Sequence, residues 1–191
     1  AGIPLTHRTH SSTVAFITGH EDPTKGESRI DWQSLAGIET LVFLMGVKNL
    51  PGITANLIAA GKPPETPAAL IRWGTTAEQE TLTAPLAGLA ERAKAKGFKP
   101  PAILVVGSVV SLQPLLNWFE VKPLFGKGIV ITRPEAQADE FLDLLHAEGA
   151  RTYLFPTIRI SPPDNFHDLD QAIEKIETYH WLIFTSANAV R

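Results

Sequence analysis

Apolar positions in the first part of the chain alternate between short continuous runs and helical spacing. Short apolar runs closed by Gly predict buried strands at "TVAFITG" (13–19), "TLVFLMG" (40–46), "AALIRWG" (68–74) and "AILVVG" (102–107). Between them, apolar residues three and four positions apart predict helices that end at Gly61 and Gly97. The predicted buried positions are Ile53, Leu57 and Ile58 in the first helix, and Leu86, Leu89, Ala90 and Ala93 in the second. The alternation predicts an α/β fold.

A second α/β pattern begins after residues 117–122. The predicted strands are "GIVITR" (128–133), "TYLFP" (152–156) and "WLIFTS" (181–186). The helices between them would bury Ala138, Phe141, Leu142 and Leu145 in one case, and Leu169, Ala172, Ile173 and Ile176 in the other. The prolines of "TIRISPPDN" (157–165) predict an exposed linker, and "ANAVR" predicts a first helical turn capped by Ser186 or Asn188.

Composition limits the class of protein. A chain of 191 residues can form two small domains, and 44% hydrophobic with 19% charged residues is typical of a soluble globular protein. The net charge of -3 argues against a general nucleic-acid-binding surface, and no apolar run approaches the roughly 20 residues of a membrane span. Cysteine is absent, which excludes thiolate chemistry and favours the cytoplasm.

Generic catalytic and metal-binding motifs are not found in the sequence. "FGKG" lacks the earlier Gly and the following Ser/Thr of a phosphate-binding loop, and it precedes a strand, so it predicts a turn. His7, His10 and His20 have no accompanying carboxylates with ligand spacing, and no metal site is predicted. Ser11–Ser12 beside His10 favours a polar turn over a nucleophile and base. No catalytic residue is identified.

Longer strings carry a resemblance to known families. "AGIPLTHR", "VAFITGHE", "LVFLMGVKNLP", "LIAAGKPPETPAALIRWGT", "PPAILVVGSVVSL" and "LNWFE" together resemble the C-terminal half of uroporphyrinogen-III C-methyltransferases, in the tetrapyrrole methylase family. "GKGIVITRP", "YLFPTIRISPP" and "WLIFTSANAVR" are similar to the beginning of the uroporphyrinogen-III synthase family. The resemblance implies a mixed-sheet C-terminal methylase domain over residues 1–122, followed by a partial α/β synthase domain over residues 123–191.

The methylase resemblance implies transfer of methyl groups from S-adenosylmethionine to two pyrrole carbons of uroporphyrinogen III. The product would be precorrin-2, on the route to sirohaem and cobalamin. Such a displacement depends mainly on alignment of the reactants and needs neither a metal nor a covalent intermediate. In the family, the cofactor lies between a domain of the kind present here and a preceding domain with a Gly-rich loop. This sequence has no such loop and no initiator Met, so we expect a fragment that is inactive by itself.

Matching of motif positions implies which residues form the methylase site. Met45 in "LMG", Gly74 in "WGT" and Ala102 in "PPA" would contact the cofactor. From the residues alone, Met45 could instead fill a gap in the core, while Gly74 and Ala102 could simply end and begin buried strands. Arg8 in "PLTHR" could bind a substrate carboxylate, or be an exposed residue or part of a structural ion pair.

The synthase resemblance implies cyclisation of hydroxymethylbilane. Thr185 and Ser186 would hold a substrate carboxylate on the backbone N–H groups of a helix N-terminus, although a plain helix cap is an alternative. Two other functions remain open at this point. Synthase activity could be the main function, or the chain could be a non-catalytic dimerisation module, since the C-terminal halves of the methylases help to form homodimers.

Overall fold

The first part of the chain folds around a five-stranded mixed sheet. The computed structural model describes residues 1–19, 29–159, 161–162, 164–186 and 190. The strands are β1 (Val14–Thr18), β2 (Thr40–Leu44), β3 (Pro67–Arg72), β4 (Glu80–Pro85) and β5 (Ala102–Val106), in the order β1-β2-β5-β3-β4. β1 and β2 are parallel, and β5 is antiparallel to both β2 and β3. β1, β2 and β3 therefore run in one direction, and the predicted mixed sheet is confirmed.

Helices cover the sheet and complete the core. They are α1 (Trp32–Ala36), α2 (Leu50–Ala59), α3 (Leu86–Lys96) and α4 (Gln113–Leu116), with 3-10 turns at Val47–Asn49 and Ser108–Leu112. Leu57 of α2 and Leu89 of α3 are fully buried in the same cluster as Phe43 of β2. α3 ends where Gly97 takes the left-handed conformation at φ 65°, and its N–H bonds carbonyls of the last turn. The predicted helix end at Gly97 is confirmed.

β4 is a strand that the apolar pattern did not predict. It pairs with β3 over its whole length and forms one edge of the sheet. Thr81 and Thr83 alternate with Leu82 and Ala84, of which only Ala84 is buried. An edge strand needs only one apolar face. Four of the six residues in this segment are polar or Pro, so the alternation of apolar and polar positions is too short to predict a strand.

The second part of the chain contains a smaller parallel sheet. β6 (Gly128–Ile131) pairs with β7 (Arg151–Leu154), and α5 (Asp139–Ala147) connects them. Ile131 and Ala138 are buried, so the predicted strand, helix, strand unit is confirmed, whereas Phe141, which was predicted to be buried on the helix, is 39% exposed. Residues 157–159 and 161–162 are exposed and irregular, as predicted for a linker. No helix among the described residues is long and apolar enough to cross a membrane.

Two predictions for the second part are wrong within the described residues. "WLIFTS" (181–186) is not a strand, and Trp181 is 84% exposed. Helix α6 (His167–Glu174) forms, but the predicted buried positions Leu169 and Ile173 are 53% and 54% exposed. A strand needs a hydrogen-bonded neighbour and an apolar helix face needs a packing partner, and the described part of the chain supplies neither here. Asn188 and most of the predicted last turn lie outside the described residues.

Candidate cofactor-binding edge of the mixed sheet

Strand direction brings the predicted cofactor contacts to one edge of the mixed sheet. Phe43 of β2 pairs with Leu104 of β5 in an antiparallel register. Met45 comes two residues after Phe43 and Ala102 two residues before Leu104, so both lie at the same level, closer to this edge. Arg72 of β3 pairs with Ala102 on its other side, and Gly74 follows two residues later. β5 lies between β2 and β3, which separates the two loops by one strand. Ligand sites of α/β proteins gather at this position, beyond the carboxyl ends of strands.

Met45 stands at this edge in an unusual backbone conformation. Its φ is 57°, in the left-handed region, and 63% of its surface is exposed. The alternative of a core-filling methionine is therefore wrong. The next residue, Gly46, packs against the end of β1, where a Cβ added to Gly19 would lie 2.6 Å from the Gly46 Cα. The left-handed conformation costs a non-Gly residue about 1–2 kcal/mol, and strain of this kind clusters at functional sites.

The loop after β3 has the same property on both sides of Gly74. Trp73 has φ 46° and Thr75 has φ 65°. Thr76 closes the turn, since its N–H and its hydroxyl bond the Trp73 carbonyl oxygen at 3.2 and 2.9 Å. A Cβ added to Gly74 would meet only ordinary contacts, the nearest at 3.6 Å from Ile71. Packing within the described chain therefore does not itself require glycine at this position.

Two residues that sequence reasoning did not select also line this edge. The Arg72 guanidinium lies 3.8 Å from the centre of the Trp73 ring, and 44% of Trp73 is exposed. The Arg72 Nε is buried without a hydrogen-bond partner among the described residues. The Arg72 Nη1 also lies 3.9 Å from a Glu80 carboxylate oxygen, so a ligand would meet an ion-paired cation beside an exposed aromatic face. "RWGT" is part of the strings that carried the family resemblance, but its stacking geometry could not be inferred from them.

The other predicted site residues are not brought to this edge. Arg8 is exposed in the turn His7–Ser11, which lies at the opposite edge of the sheet. That turn is held by the Thr40 hydroxyl, which bonds the Ser11 hydroxyl at 2.7 Å, and by Ser108, which bonds the His10 carbonyl at 2.7 Å. β2 begins at Thr40 and β5 ends just before Ser108, so Arg8 is separated from Met45 by the length of a strand.

Electrostatics at the opposite edge supports the turn that contains Arg8. The Glu39 carboxylate accepts hydrogen bonds from the N–H groups of Ser12 and Thr13, and these bonds lower the pKa of Glu39, that of Ser12 having the larger effect. Among the described residues, no group of three or more His, Asp or Glu side chains could hold a metal ion.

Thr185 and Ser186 are exposed near the end of the chain. The predicted strand before them does not form, so they do not occupy the expected strand-to-helix turn within the described residues. Their proposed binding role stays a prediction.

Comparison with known proteins identifies relatives for both parts of the chain. Residues 1–90 match the family Tetrapyrrole (Corrin/Porphyrin) Methylases, and residues 139–191 match the family Uroporphyrinogen-III synthase HemD. The resemblance to both families is thereby confirmed.

The most similar proteins include methyltransferases. Over its whole length the chain is 37% identical to uroporphyrinogen-III C-methyltransferase of Bacillus subtilis and covers 39% of that protein. Over 118 residues, 61% of the chain, it is 51% identical to the S-adenosyl-L-methionine-dependent uroporphyrinogen III methyltransferase of Methanosarcina barkeri, and covers 46% of it. A solved structure of uroporphyrin III C-methyl transferase from Thermus thermophilus is also similar, with 31% identity and a TM-score of 0.50. The match covers 58% of this chain and 47% of the chain in that structure. The chain thus spans less than half the length of these relatives.

Proposed function

We propose that residues 1–122 are the C-terminal domain of an S-adenosylmethionine-dependent methyltransferase that converts uroporphyrinogen III to precorrin-2, and that residues 123–191 begin a uroporphyrinogen-III synthase in the same protein. The separate sheets support this division, since the strands of the first lie within residues 14–106 and those of the second within residues 128–154. The observation that carries the methyltransferase proposal is the convergence of Met45, Gly74 and Ala102 at one sheet edge, where Met45 and the two neighbours of Gly74 have positive φ.

The chemistry of this edge fits the proposed cofactor. The exposed Met45 side chain and the Trp73 ring offer apolar and aromatic contact, and the space at Gly74 allows a ligand to approach the backbone closely. When bound, S-adenosylmethionine supplies an electrophilic methyl group. The role of Met45, Gly74 and Ala102 is to bind and orient, because in-line alignment accounts for roughly 7–11 kcal/mol of the barrier in well-oriented reactions.

Substrate and assembly are part of the same proposal. Uroporphyrinogen III carries carboxylates, and Arg72 beside Trp73 is a cation at the proposed cofactor edge, whereas Arg8 lies at the opposite edge. Arg8 would therefore meet a carboxylate only on a distant part of the substrate or of a partner. We propose a cytoplasmic homodimer with no nucleic-acid partner, in line with the absence of cysteine and the net charge of -3.

A second candidate function is the synthase reaction on hydroxymethylbilane. A cavity of about 1400 Å³ lies beyond the carboxyl ends of β6 and β7, and it is lined by described residues of the segments 134–139, 156–159, 161–162 and 164–169. The exposed Arg159 lines this cavity together with the carboxylates Glu135, Asp139 and Asp168, and it is the side chain we assign to a substrate carboxylate. Thr185 and Ser186 would add backbone N–H donors for a substrate carboxylate if the residues that follow form a helix.

The methyltransferase proposal is tested by comparing two chains. One is residues 1–191, and the other is extended at the N-terminus to the length of the relatives. We expect the extended protein to bind S-adenosylmethionine and to methylate uroporphyrinogen III, and the shorter chain to do neither, because a one-sided site encloses too little of the ligand. Labelled S-adenosylmethionine measures both. Robust turnover by the shorter chain would contradict the half-site, and failure of the extended protein to bind would contradict the function.

A further inference from the structure

We propose that Gln79 is a positioning residue that holds the loop 73–79 in its ligand-binding conformation, and that Glu120, from the segment leading to the second sheet, fixes the orientation of Gln79. The inference rests on the proposed function, since it concerns the loop that carries Gly74. It assigns a role to two side chains that the sequence analysis did not name as site residues, although Glu120 ends the string "LNWFE".

The Gln79 carboxamide bridges the loop and Glu120. Gln79 is 5% exposed, and its side-chain oxygen accepts a hydrogen bond of 2.8 Å from the Thr75 N–H. Its side-chain nitrogen donates a bond of 2.9 Å to the Glu120 Oε1. A reversed amide would place its NH₂ against the Thr75 N–H and its oxygen against a carboxylate. The partners therefore determine a single orientation of the carboxamide.

The loop needs this support because its conformation is unfavourable by itself. Trp73 and Thr75 both have positive φ, and Thr75 is β-branched, which makes the left-handed region especially unfavourable for it. Such residues keep their conformation only where surrounding contacts hold them. Other hydrogen bonds of the loop join Thr76 to Trp73 and to the Gln79 N–H within the turn, and Glu78 forms an ion pair with Arg151 of β7. The bond from Gln79 to Thr75 is the one that connects a strained residue to Glu120 through a buried side chain.

Glu120 is itself held by several donors. Its Oε1 also accepts a bond of 2.6 Å from the Thr81 hydroxyl, and its Oε2 accepts one of 3.2 Å from the Asn117 side chain. Thr81 lies in β4, directly after the loop, and Asn117 follows α4. The carboxylate thus joins the β3–β4 connection to the segment between the two sheets. We infer that the position of this segment influences the loop that carries Gly74.

The test measures binding of S-adenosylhomocysteine to the full-length protein by calorimetry. Gln79→Leu keeps the size of the side chain but leaves the Thr75 N–H without its partner, so we expect about tenfold weaker binding. Gln79→Glu should also weaken binding, because it places two carboxylates together. The exchange Gln79→Glu with Glu120→Gln restores a carboxylate–amide pair and should recover most of the affinity. Gln113→Leu, the same change in α4 at a half-buried side chain outside this hydrogen-bond network, is the control and should bind normally.

A purely structural role predicts a different pattern. In that case Gln79→Leu would lower the unfolding temperature without changing affinity at a temperature where it is folded. If affinity does fall in the single variants, a purely structural cause predicts that the exchange fails to recover it. Either result would overturn the proposal. Amide hydrogen exchange of the peptide 73–79 in the folded protein is an independent measurement, and we expect faster exchange in Gln79→Leu and Gln79→Glu than in the exchanged pair. Absence of binding by the unsubstituted protein would instead contradict the proposed function itself.

Discussion

Replacing Met45 by Gly is expected to separate stability from binding. The left-handed conformation costs Met about 1–2 kcal/mol, whereas Gly adopts it freely but loses about 0.5–1 kcal/mol more backbone entropy on folding. Met45 is 63% exposed, so about a third of the 1.5–3 kcal/mol available from burying such a side chain is lost as well. These effects nearly cancel, and we expect the free energy of unfolding to change by less than about 1 kcal/mol.

The neighbouring residue provides the matched control. Leu44 is the last residue of β2, is 40% exposed and has no positive φ, so Leu44→Gly relieves no strain. It loses about 1–2 kcal/mol of burial and about 0.5–1 kcal/mol of backbone entropy. The free energy of unfolding should therefore fall by roughly 1.5–3 kcal/mol. The two variants remove similar side chains from adjacent positions, so the strain at Met45 is their difference in unfolding free energy less the difference in lost burial, about 0.5–1 kcal/mol.

The assays are urea unfolding followed by tryptophan fluorescence, and calorimetric titration of the full-length protein with S-adenosylmethionine. Met45→Gly should unfold close to the parent protein and bind S-adenosylmethionine more weakly, because the proposed side-chain contact is lost. If Met45→Gly were destabilised as much as Leu44→Gly, the strain assigned to φ 57° would be absent. Unchanged affinity would remove the Met45 side chain from the cofactor site.

Two further predictions concern stability. Gly107→Ala should lower the free energy of unfolding by about 1–3 kcal/mol, because the new Cβ would lie 2.4 Å from the Glu39 carbonyl oxygen. Gly88→Ala, in open space on α3, should raise the free energy of unfolding by about 0.5–1 kcal/mol. Equal urea midpoints for the two variants would contradict this prediction. Burial lowers the pKa of Lys62 from its usual 10.5, so the unfolded chain binds more protons between the two values and stability should rise with pH across that window. Lys62→Met should remove this slope in unfolding measurements at several pH values, and a slope that persisted would assign it to other groups.

The apolar pattern was sufficient to predict the helices that bury one face against the first sheet. Leu57 and Leu89 are fully buried as predicted, because helical spacing places them on the side that packs against the sheet. Gly97 was predictable as a helix end, since few other residues adopt its conformation. The same reasoning failed for Leu169 and Trp181, which are exposed. An apolar pattern indicates which face of an element is suited to burial, but it does not show whether another element packs against that face.

Sequence by itself determined the two α/β patterns and the strings that point to two enzyme families, since both depend on local order along the chain. Only the tertiary structure decided which strands are neighbours. The insertion of β5 between β2 and β3 brings Met45, Ala102 and Gly74 to one edge and leaves Arg8 at the other. The positive φ of Met45 and the bridge from Gln79 to Glu120 are tertiary as well. Their physical cause is contact between residues far apart in the sequence. These contacts stabilise backbone conformations that are unfavourable for the residues by themselves.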